Sequence, residues 1–397
     1  MKSKILKNLP IILSVCILVV LMAFTNVNHK PVKPKDEEAE TVEVVSIPEE
    51  EMRGLWVTYM DLNMSDTDYT YKSFKAKFNK IADTAKKDKF NALIVHVRPF
   101  SDALYRSDYY PYSHILSGEQ GKSVEYDALK YMTEYAHKIG LKLHAWINPY
   151  RVKNKGDLKL SKDNPYIKDK SLGVEVNGGI YLNPALKKVR TLIENGIEEI
   201  VKNYDVDGVQ FDDYFYPTDE KNFDNKQYQS YKKKLKSNAL PLDEWRMANV
   251  NVLVADCFNI CHKYGKMFGI SPQGNIENDY GMYADVKSWC SNYGYVDYIC
   301  PQLYYSLENP ALTFKDALKE WQSLDYDDSV TLYIGLAGYK TGTDSDSGTW
   351  NNKTDILKKE LKVIRKNKLK GFMFYSYADL IRNEAVKEVS NLIKELD

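Results

Sequence analysis

Eight short runs rich in β-branched and aromatic residues alternate with longer amphipathic stretches from Glu51 to the end of the chain. This alternation is typical of a parallel sheet whose strands are joined by crossover helices. The predicted strands are residues 53–62, 91–99, 141–151, 208–215, 266–274, 298–305, 330–339 and 371–380, and the predicted helices lie near 72–88, 127–139, 186–203, 244–264, 282–292, 312–323, 353–367 and 383–396. Eight strands, each followed by a helix, predict an α/β fold, a (β/α)8 TIM barrel, as a single domain over residues 51–397.

The first 50 residues have a different character. Three lysines fall within the first seven residues, and an uncharged apolar run of 17 residues follows at 9–25. A basic start before an apolar run is typical of a signal peptide, and a run of this length also approaches a minimal membrane span. We therefore predict a signal peptide or N-terminal membrane anchor over 1–27, and a disordered linker over 28–50, which is rich in Pro, Glu and Lys. The protein is expected to be exported, either secreted or anchored on the extracytoplasmic face of a membrane through the uncleaved segment.

The charge balance bears on the kind of partner. Lys and Arg together number 55, as do Asp and Glu, so the formal net charge is zero. A neutral chain lacks the basic surface of a nucleic-acid-binding protein, and no nucleic-acid partner is expected. The 31 tyrosines favour a sugar or peptide partner, because a tyrosine can both stack on a ligand and hydrogen-bond it. The sequence shows neither a Gly-rich phosphate loop nor clustered metal ligands, so we predict no cofactor and no metal.

Four cysteines follow the apolar run, at Cys257, Cys261, Cys290 and Cys300. Their spacing is not that of a disulfide framework. We interpret them as small buried apolar residues, with a disulfide or a metal site at the first two as the alternative.

Side-chain alternation predicts which residues face the barrel axis. The third strand should turn His144, Trp146 and Asn148 inward, and the second strand His96 and Arg98. Polar residues on the inward parity at the C-terminal ends of their strands are Arg98, Asn148, Asp212, Gln273, Gln302 and Tyr375. TIM-barrel active sites are built at this end, so we predict the site there.

Several of these strand ends lie in unusual stretches. They are "RGLWVTYMDL", "VHVRPFSDALYRSDYYPYSHILSGEQGK", "AHKIGLKLHAWINPYR", "YLNP", "VDGVQFDDYFYP", "ISPQGN" and "YVDYICPQLYYS". Together they resemble the glycosyl-hydrolase-like family ten of exported bacterial proteins. The resemblance implies a barrel of glycosidase type whose activity is directed at bacterial cell-wall glycan.

Asp212 is the first candidate for a reacting group. Glycoside hydrolysis usually needs two carboxyl groups that flank the scissile bond, about 5–5.5 Å apart for retention and about 6.5–9.5 Å apart for inversion. Asp212 has the inward parity at the end of the fourth strand. Asp213 has the opposite parity unless the strand has already ended, and we interpret it as orienting a loop or an Arg or Lys partner.

The second carboxyl group is less defined by the sequence. Asp102, just after the second strand, is the first choice, because its loop should carry it over the mouth and Arg98 could order it. Glu277 and Asp279 after the fifth strand come next, and Asp61 after the first strand is the third. If none of them serves, an acetamido group of the substrate could take the role of the nucleophile, with an Asp pair to polarise it.

The predicted sugar-binding residues combine hydrogen-bond donors with aromatic faces. Arg98 or Arg151 could also hold a lactyl or other carboxylate, and for Arg98 the alternative is a buried ion pair with an Asp of the barrel. The set is Trp56, Arg98, Tyr105, His144, Asn148, Arg151, Tyr214, Gln273, Gln302, Tyr304 and Tyr375. We therefore expect a glycoside hydrolase that acts on a bacterial polysaccharide, the peptidoglycan backbone above all, with a non-catalytic cell-wall glycan-binding barrel as the alternative.

Overall fold

The structure is a computed structural model that describes residues 50–396, and it confirms the (β/α)8 barrel. The barrel strands are β1 Met52–Val57, β2 Ala92–Arg98, β3 Lys142–Ile147, β7 Gly208–Phe211, β8 Met267–Ile270, β9 Tyr298–Ile299, β10 Thr331–Leu332, β11 Ile334–Ala337 and β12 Gly371–Tyr375. The helices are α1 Tyr71–Lys87, α2 His114–Ser117, α3 Ala128–Lys138, α4 Pro165–Lys168, α5 Lys187–Asn203, α6 Asn225–Leu235, α7 Leu242–Lys263, α8 Ile276–Gly281, α9 Val286–Ser291, α10 Phe314–Gln322, α11 Ser345–Gly348, α12 Ile356–Lys366, α13 Tyr377–Leu380 and α14 Val386–Lys394. Single 3₁₀ turns lie at Lys170–Leu172, Lys236–Asn238, Gly338–Lys340 and Asn383–Ala385.

The parallel strands lie in the order β10-β9-β8-β7-β3-β2-β1-β12-β11. Strands β10 and β11 follow each other with only Tyr333 between them, so they are two parts of the seventh barrel strand. The first part pairs with β9 and the second part pairs with β12. This one chain segment therefore joins both edges of the sheet and closes the barrel.

The amphipathic period that predicts the helices also explains their packing. Helix α1 begins after Thr70, whose side chain accepts a hydrogen bond from the backbone N–H of Ser73. Its buried residues Phe74, Phe78 and Ile81 recur at helical spacing and face the strands. The main core contains these helix residues and the outward side chains of the strands. A separate apolar cluster fills the inside of the barrel and consists of Met52, Trp56, Ala92, Ile94, Trp146, Met267, Tyr298, Cys300, Tyr333 and Met373.

Several predicted strands are too long at their C-terminal ends. Strand β7 ends at Phe211, before the paired aspartates, and Arg151 belongs to a separate strand rather than to β3. That strand, β4 Arg151–Lys153, forms a small antiparallel sheet with β5 Gly173–Val176 and β6 Gly179–Leu182, in the order β4-β6-β5. The segment after β3 is therefore a structured cap beside the mouth of the barrel.

Strand β2 contains an irregularity. Its pairing with β3 shifts register between His96 and Arg98, so Val97 is an extra residue. A bulge of this kind reverses the facing of the residues that follow it.

The cysteine interpretation is confirmed, because the four cysteines within residues 50–396 are buried and free. Among these residues, no helix has the length and apolar character needed to cross a bilayer. The predicted signal or anchor segment at 1–27 and the linker up to residue 49 lie outside the described residues, so both remain predictions.

Candidate active site

The carboxyl group of Asp212 lies at the mouth of the barrel, directly after β7. Its Oδ2 accepts hydrogen bonds from the indole N–H of Trp146 at 3.1 Å and the amide of Asn148 at 3.0 Å, both from the β3 side. Its Oδ1 accepts the backbone N–H of Tyr214 at 3.3 Å. Only 4% of Asp212 is exposed. The inward direction predicted for Asp212 and Asn148 is therefore what the structure shows.

Asp213 lies beside Asp212 and is also buried, because the strand has already ended and alternation no longer applies. Its Oδ1 accepts the amide N–H of Gln302 at 3.0 Å, and its Oδ2 accepts the amide of Gln273. Two neutral amides from the β8 and β9 ends therefore hold this carboxylate, and the Arg151 cation acts on it through its charge. We call Asp212 and Asp213 the carboxylate pair.

The electrostatics of the carboxylate pair follow from its burial. Burial raises the pKa of Asp212 to about 7, the adjacent Asp213 charge acts in the same direction, and the Arg151 cation opposes both. Burial also raises the pKa of Asp213, against the hydrogen bond from Gln302. Two adjacent carboxyl groups that both resist ionisation favour a shared proton over ionisation of both. The pair can therefore supply one carboxylic acid and one carboxylate at the same time.

Arg151 brings a positive charge to the same place. Its Nε donates to the carbonyl of Pro99 at 3.0 Å, and its backbone N–H donates to Asn148 at 3.2 Å. The guanidinium carbon lies 4.9 Å from the ring centroid of Phe100 and 5.4 Å from that of Tyr214. Arg151 is thus a fixed cation beside the carboxylate pair.

Arg98 does not face the barrel axis, so that prediction is wrong. The bulge in β2 turns its side chain to the helix layer, where the guanidinium carbon lies 4.5 Å from the ring centroid of Tyr110. A Cβ at Gly196 of α5 would lie 2.3 Å from its Nη1. Tyr105 lies in the same layer, with its ring centroid 5.6 Å from that of Tyr204 and only 1% of its surface exposed. Arg98 and Tyr105 are therefore both buried in the helix layer rather than placed at the mouth, and their predicted contact with a sugar is left without structural support.

His144 and Trp56 are interior residues of the barrel. His144 is fully buried, its Nδ1 lies 3.0 Å from the hydroxyl oxygen of Tyr298, and burial lowers its pKa to about 4. Trp56 is 2% exposed, and its ring centroid lies 6.0 Å from that of Tyr375. Both side chains are enclosed by packed neighbours rather than open at the mouth, and their direct contact with substrate remains a prediction. Trp56 instead supports Tyr375, which is half-buried at the mouth.

Asp102 is enclosed by its own loop rather than carried over the mouth. Its side chain has no exposed surface, and its Oδ2 lies 3.2 Å from His114 Nδ1 and 3.1 Å from Gln120 Nε2. Arg98, expected to order it, faces the helix layer. In this structure Asp102 is therefore bonded within its own loop, and its role as the partner of Asp212 remains a prediction.

The other acids considered from the sequence have structural partners. Asp279 is 1% exposed, and its Oδ1 accepts the backbone N–H of Gln273 at 2.8 Å, so it supports a residue that holds the carboxylate pair. Glu277 is exposed on α8. Asp61 accepts the backbone N–H and the hydroxyl of Thr58 at 2.7 and 2.8 Å.

Aromatic side chains surround the carboxylate pair. Tyr214 is 49% exposed, and Tyr304 and Tyr375 are half-buried. Two aromatic residues were missing from the predicted binding set. Trp146 has the inward parity and directly bonds Asp212, and Tyr339, which is 39% exposed, follows the seventh barrel strand. In the sequence, Trp146 could have been recognised from its inward parity, and Tyr339 from its position at the end of a predicted strand.

Comparisons with known proteins identify the family of the chain. Residues 51–351 match the family model described as Glycosyl hydrolase-like 10. The chain is 36% identical over 375 residues to Glycosyl hydrolase YngK of Bacillus subtilis (strain 168), covering 86% of this chain and 72% of the relative. It is 31% identical over 352 residues to Glycosyl hydrolase DigH of Escherichia coli (strain K12), covering 78% and 79% respectively.

Solved structures support the fold. The glycoside hydrolase domain of PgaB (BpsB) from Bordetella bronchiseptica aligns with a TM-score of 0.52 at 11% identity, covering 86% of this chain and 98% of that domain. Alpha-L-fucosidase isoenzyme 2 from Paenibacillus thiaminolyticus aligns with a TM-score of 0.50 at 13% identity, covering 87% and 49%. The family model and the two relatives confirm the resemblance found in the strand ends, and the chain belongs to the glycosyl hydrolase-like family 10.

Proposed function

We propose that the protein is a glycoside hydrolase that cleaves the glycan backbone of bacterial peptidoglycan, with the carboxylate pair as its reacting groups. The observation that carries the proposal is the pair itself, two adjacent buried carboxyl groups held by separate sets of donors at the mouth of a barrel. Trp146 and Asn148 hold Asp212, and Gln273 and Gln302 hold Asp213. The family relationship supports chemistry on a glycosidic bond.

In the proposed reaction Asp212 is the general acid. With a pKa of about 7 it still carries its proton in about half of the molecules at pH 7, and it gives that proton to the glycosidic oxygen as the bond breaks. Asp213 remains the carboxylate and orients the acetamido N–H of an N-acetylated sugar, so that the acetamido oxygen attacks the anomeric carbon. This attack closes a ring between the acetamido group and the anomeric carbon. Water then attacks the anomeric carbon and opens that ring, and Asp212, now ionised, takes a proton from the water. This substrate-assisted route needs no second acid on the opposite side of the sugar.

The peptidoglycan backbone suits the charges around the pair. Its sugars carry acetamido groups, and every second sugar carries a lactyl group that ends in a carboxylate or a peptide. Arg151 provides the cation that could bind such a carboxylate, and the exposed Tyr214 provides a ring for stacking. We further propose that the protein acts outside the cytoplasm, in keeping with the apolar run at 9–25.

The test is to incubate the purified full chain with peptidoglycan glycan strands and to follow new reducing ends by mass spectrometry. Asp212→Asn and Asp213→Asn should each lower kcat by about 100- to 10,000-fold, the range that general acid catalysis contributes. Asp157→Asn, at an exposed carboxylate, is the matched control and should cleave normally. The wild-type kcat should fall above about pH 7, where Asp212 loses its proton. Wild-type protein that binds strands but releases no fragments would instead indicate the non-catalytic binding barrel.

A further inference from the structure

Three tyrosines from different strand ends form a triangle of rings at one side of the mouth. Tyr304 and Tyr339 have ring centroids 5.5 Å apart, Tyr304 and Tyr375 are 5.9 Å apart, and Tyr339 and Tyr375 are 6.1 Å apart. The Tyr339 ring is nearly perpendicular to the other two, at 80° and 88°. Because Tyr339 remains 39% exposed, it presents an aromatic surface above the other two rings.

The position of Tyr339 is built into the fold. It lies in the 3₁₀ turn Gly338–Lys340, and this turn packs so closely on β12 that a Cβ at Gly338 would lie 2.3 Å from the Phe374 ring. The next residue, Lys340, donates to the carbonyl of Tyr304 at 2.6 Å. Arg382 donates to the Tyr339 carbonyl at 3.2 Å. A tyrosine held in this way loses little conformational entropy when it contacts a ligand.

The triangle is linked to the carboxylate pair through one further ring. Tyr375 has its ring centroid 6.5 Å from that of Trp146, and the Trp146 N–H is bonded to Asp212. Two ring contacts, from Tyr339 to Tyr375 and from Tyr375 to Trp146, therefore connect Tyr339 with the indole that donates a hydrogen bond to Asp212. Tyr214, by contrast, lies next to Asp213 in the chain and under the Arg151 cation.

We propose that the exposed ring of Tyr339, supported from behind by Tyr304 and Tyr375, forms a second sugar-binding position next to the position at which the bond is cleaved. An aromatic ring stacks on the apolar face of a pyranose, and Tyr339 supplies the exposed ring for this contact. A glycan that fills both positions must be longer than a disaccharide. The inference rests on the proposed function and adds to it a dependence on chain length that Tyr339 creates.

The experiment uses full-length Asp212→Asn protein, so that binding is measured without cleavage. Calorimetric titration with peptidoglycan fragments of two, four and six sugars gives the dissociation constant of each. Adding Tyr339→Ala should weaken binding of the six-sugar fragment by about tenfold, as expected for truncation of a tyrosine in a binding site, and should leave the two-sugar fragment unchanged. Tyr339→Phe keeps the ring and should bind the six-sugar fragment as the parent does. Tyr293→Ala is the control and should bind all fragments as the parent does. Tyr293 is also an exposed tyrosine, at 66%, but its ring contacts are with Phe258 and His262 of α7 rather than with the rings at the mouth.

Three outcomes overturn the inference. Unchanged six-sugar binding by Tyr339→Ala would show that the ring only packs against its neighbours. Equal losses for the two-sugar and six-sugar fragments would show that there is no separate position. In both cases cleavage of the same fragments by the wild type would leave the proposed function standing. If no fragment binds any variant and the wild type cleaves none, the proposed function and the inference fail together.

Discussion

Replacement of Asp212 by asparagine should stabilise the protein at neutral and alkaline pH. The buried carboxyl group has a pKa of about 7, against an ordinary value of 3.8, because burial and the Asp213 charge oppose its ionisation. Between these two values the unfolded chain gives up its proton while the folded protein keeps it. The wild type therefore loses stability as pH rises from about 4 to about 7, and above that the loss stays constant.

The size of the effect follows from the two pKa values. Each pH unit between them costs about 1.4 kcal/mol, so a pKa that moves from 3.8 to about 7 corresponds to about 4 kcal/mol. Asparagine cannot ionise, so it does not carry this cost. Its hydrogen bonds with Trp146, Asn148 and the backbone of Tyr214 will differ from those of the carboxyl group, which adds a constant offset. Removal of the Asp212 charge also eases the ionisation of Asp213, which acts in the same direction as pH rises.

The assay is equilibrium unfolding in urea at pH 4.5, 6, 7 and 8 for the wild type and Asp212→Asn. The free energy of unfolding of the variant minus that of the wild type should rise with pH and level off above about pH 7, with most of the total change of about 4 kcal/mol falling within this range. Asp157→Asn, at an exposed site, should give a flat difference. A flat difference for Asp212→Asn would refute the reasoning, because it would mean that the folded carboxyl group ionises as readily as an exposed one, and the assignment of Asp212 as general acid would then fall too.

Two further predictions concern the surroundings of two buried arginines, Arg98 and Arg246. Gly196→Ala should destabilise the protein by about 1–3 kcal/mol, because the added Cβ would lie 2.3 Å from the Arg98 guanidinium, and a lowered melting temperature would reveal it. Gly281→Ala is its control and should change little, since no atom of the described residues lies within 4 Å of the added Cβ; an equal loss in both variants would contradict the packing argument. Arg246→Met should cost about 3–5 kcal/mol in urea unfolding, because it leaves the buried Asp224 without the cation 2.7 Å away, and adding Asp224→Asn should recover part of the loss. No recovery in the double variant would indicate that lost packing, rather than the unpaired charge, causes the effect.

Prediction from the sequence was most reliable for features that depend only on the residues of a single strand or helix. The order of strands and helices follows from periodicity, and the direction of Asp212 follows from alternation along β7. The prediction for Arg98 fails because alternation assumes an unbroken strand, and the bulge after His96 is visible only when β2 is paired with β3. The expected position of Asp102 over the mouth differs from the structure for a similar reason, since its enclosure by His114 and Gln120 comes from the fold of its loop.

The sequence by itself determined that this chain is a barrel and that Asp212 stands at its mouth among amides and aromatic rings. Only the tertiary structure decided that Asp213 completes the pair, since the amide of Gln302 that holds it lies 89 positions away in the chain. The same holds for the ring of Tyr339, which meets Tyr304 and Tyr375 only when the barrel closes. Periodic patterns record which face of a strand or helix avoids water, and each element carries that information locally. Hydrogen bonds and ring contacts between strand ends depend on how the elements are placed relative to one another, and that placement exists only in the folded chain.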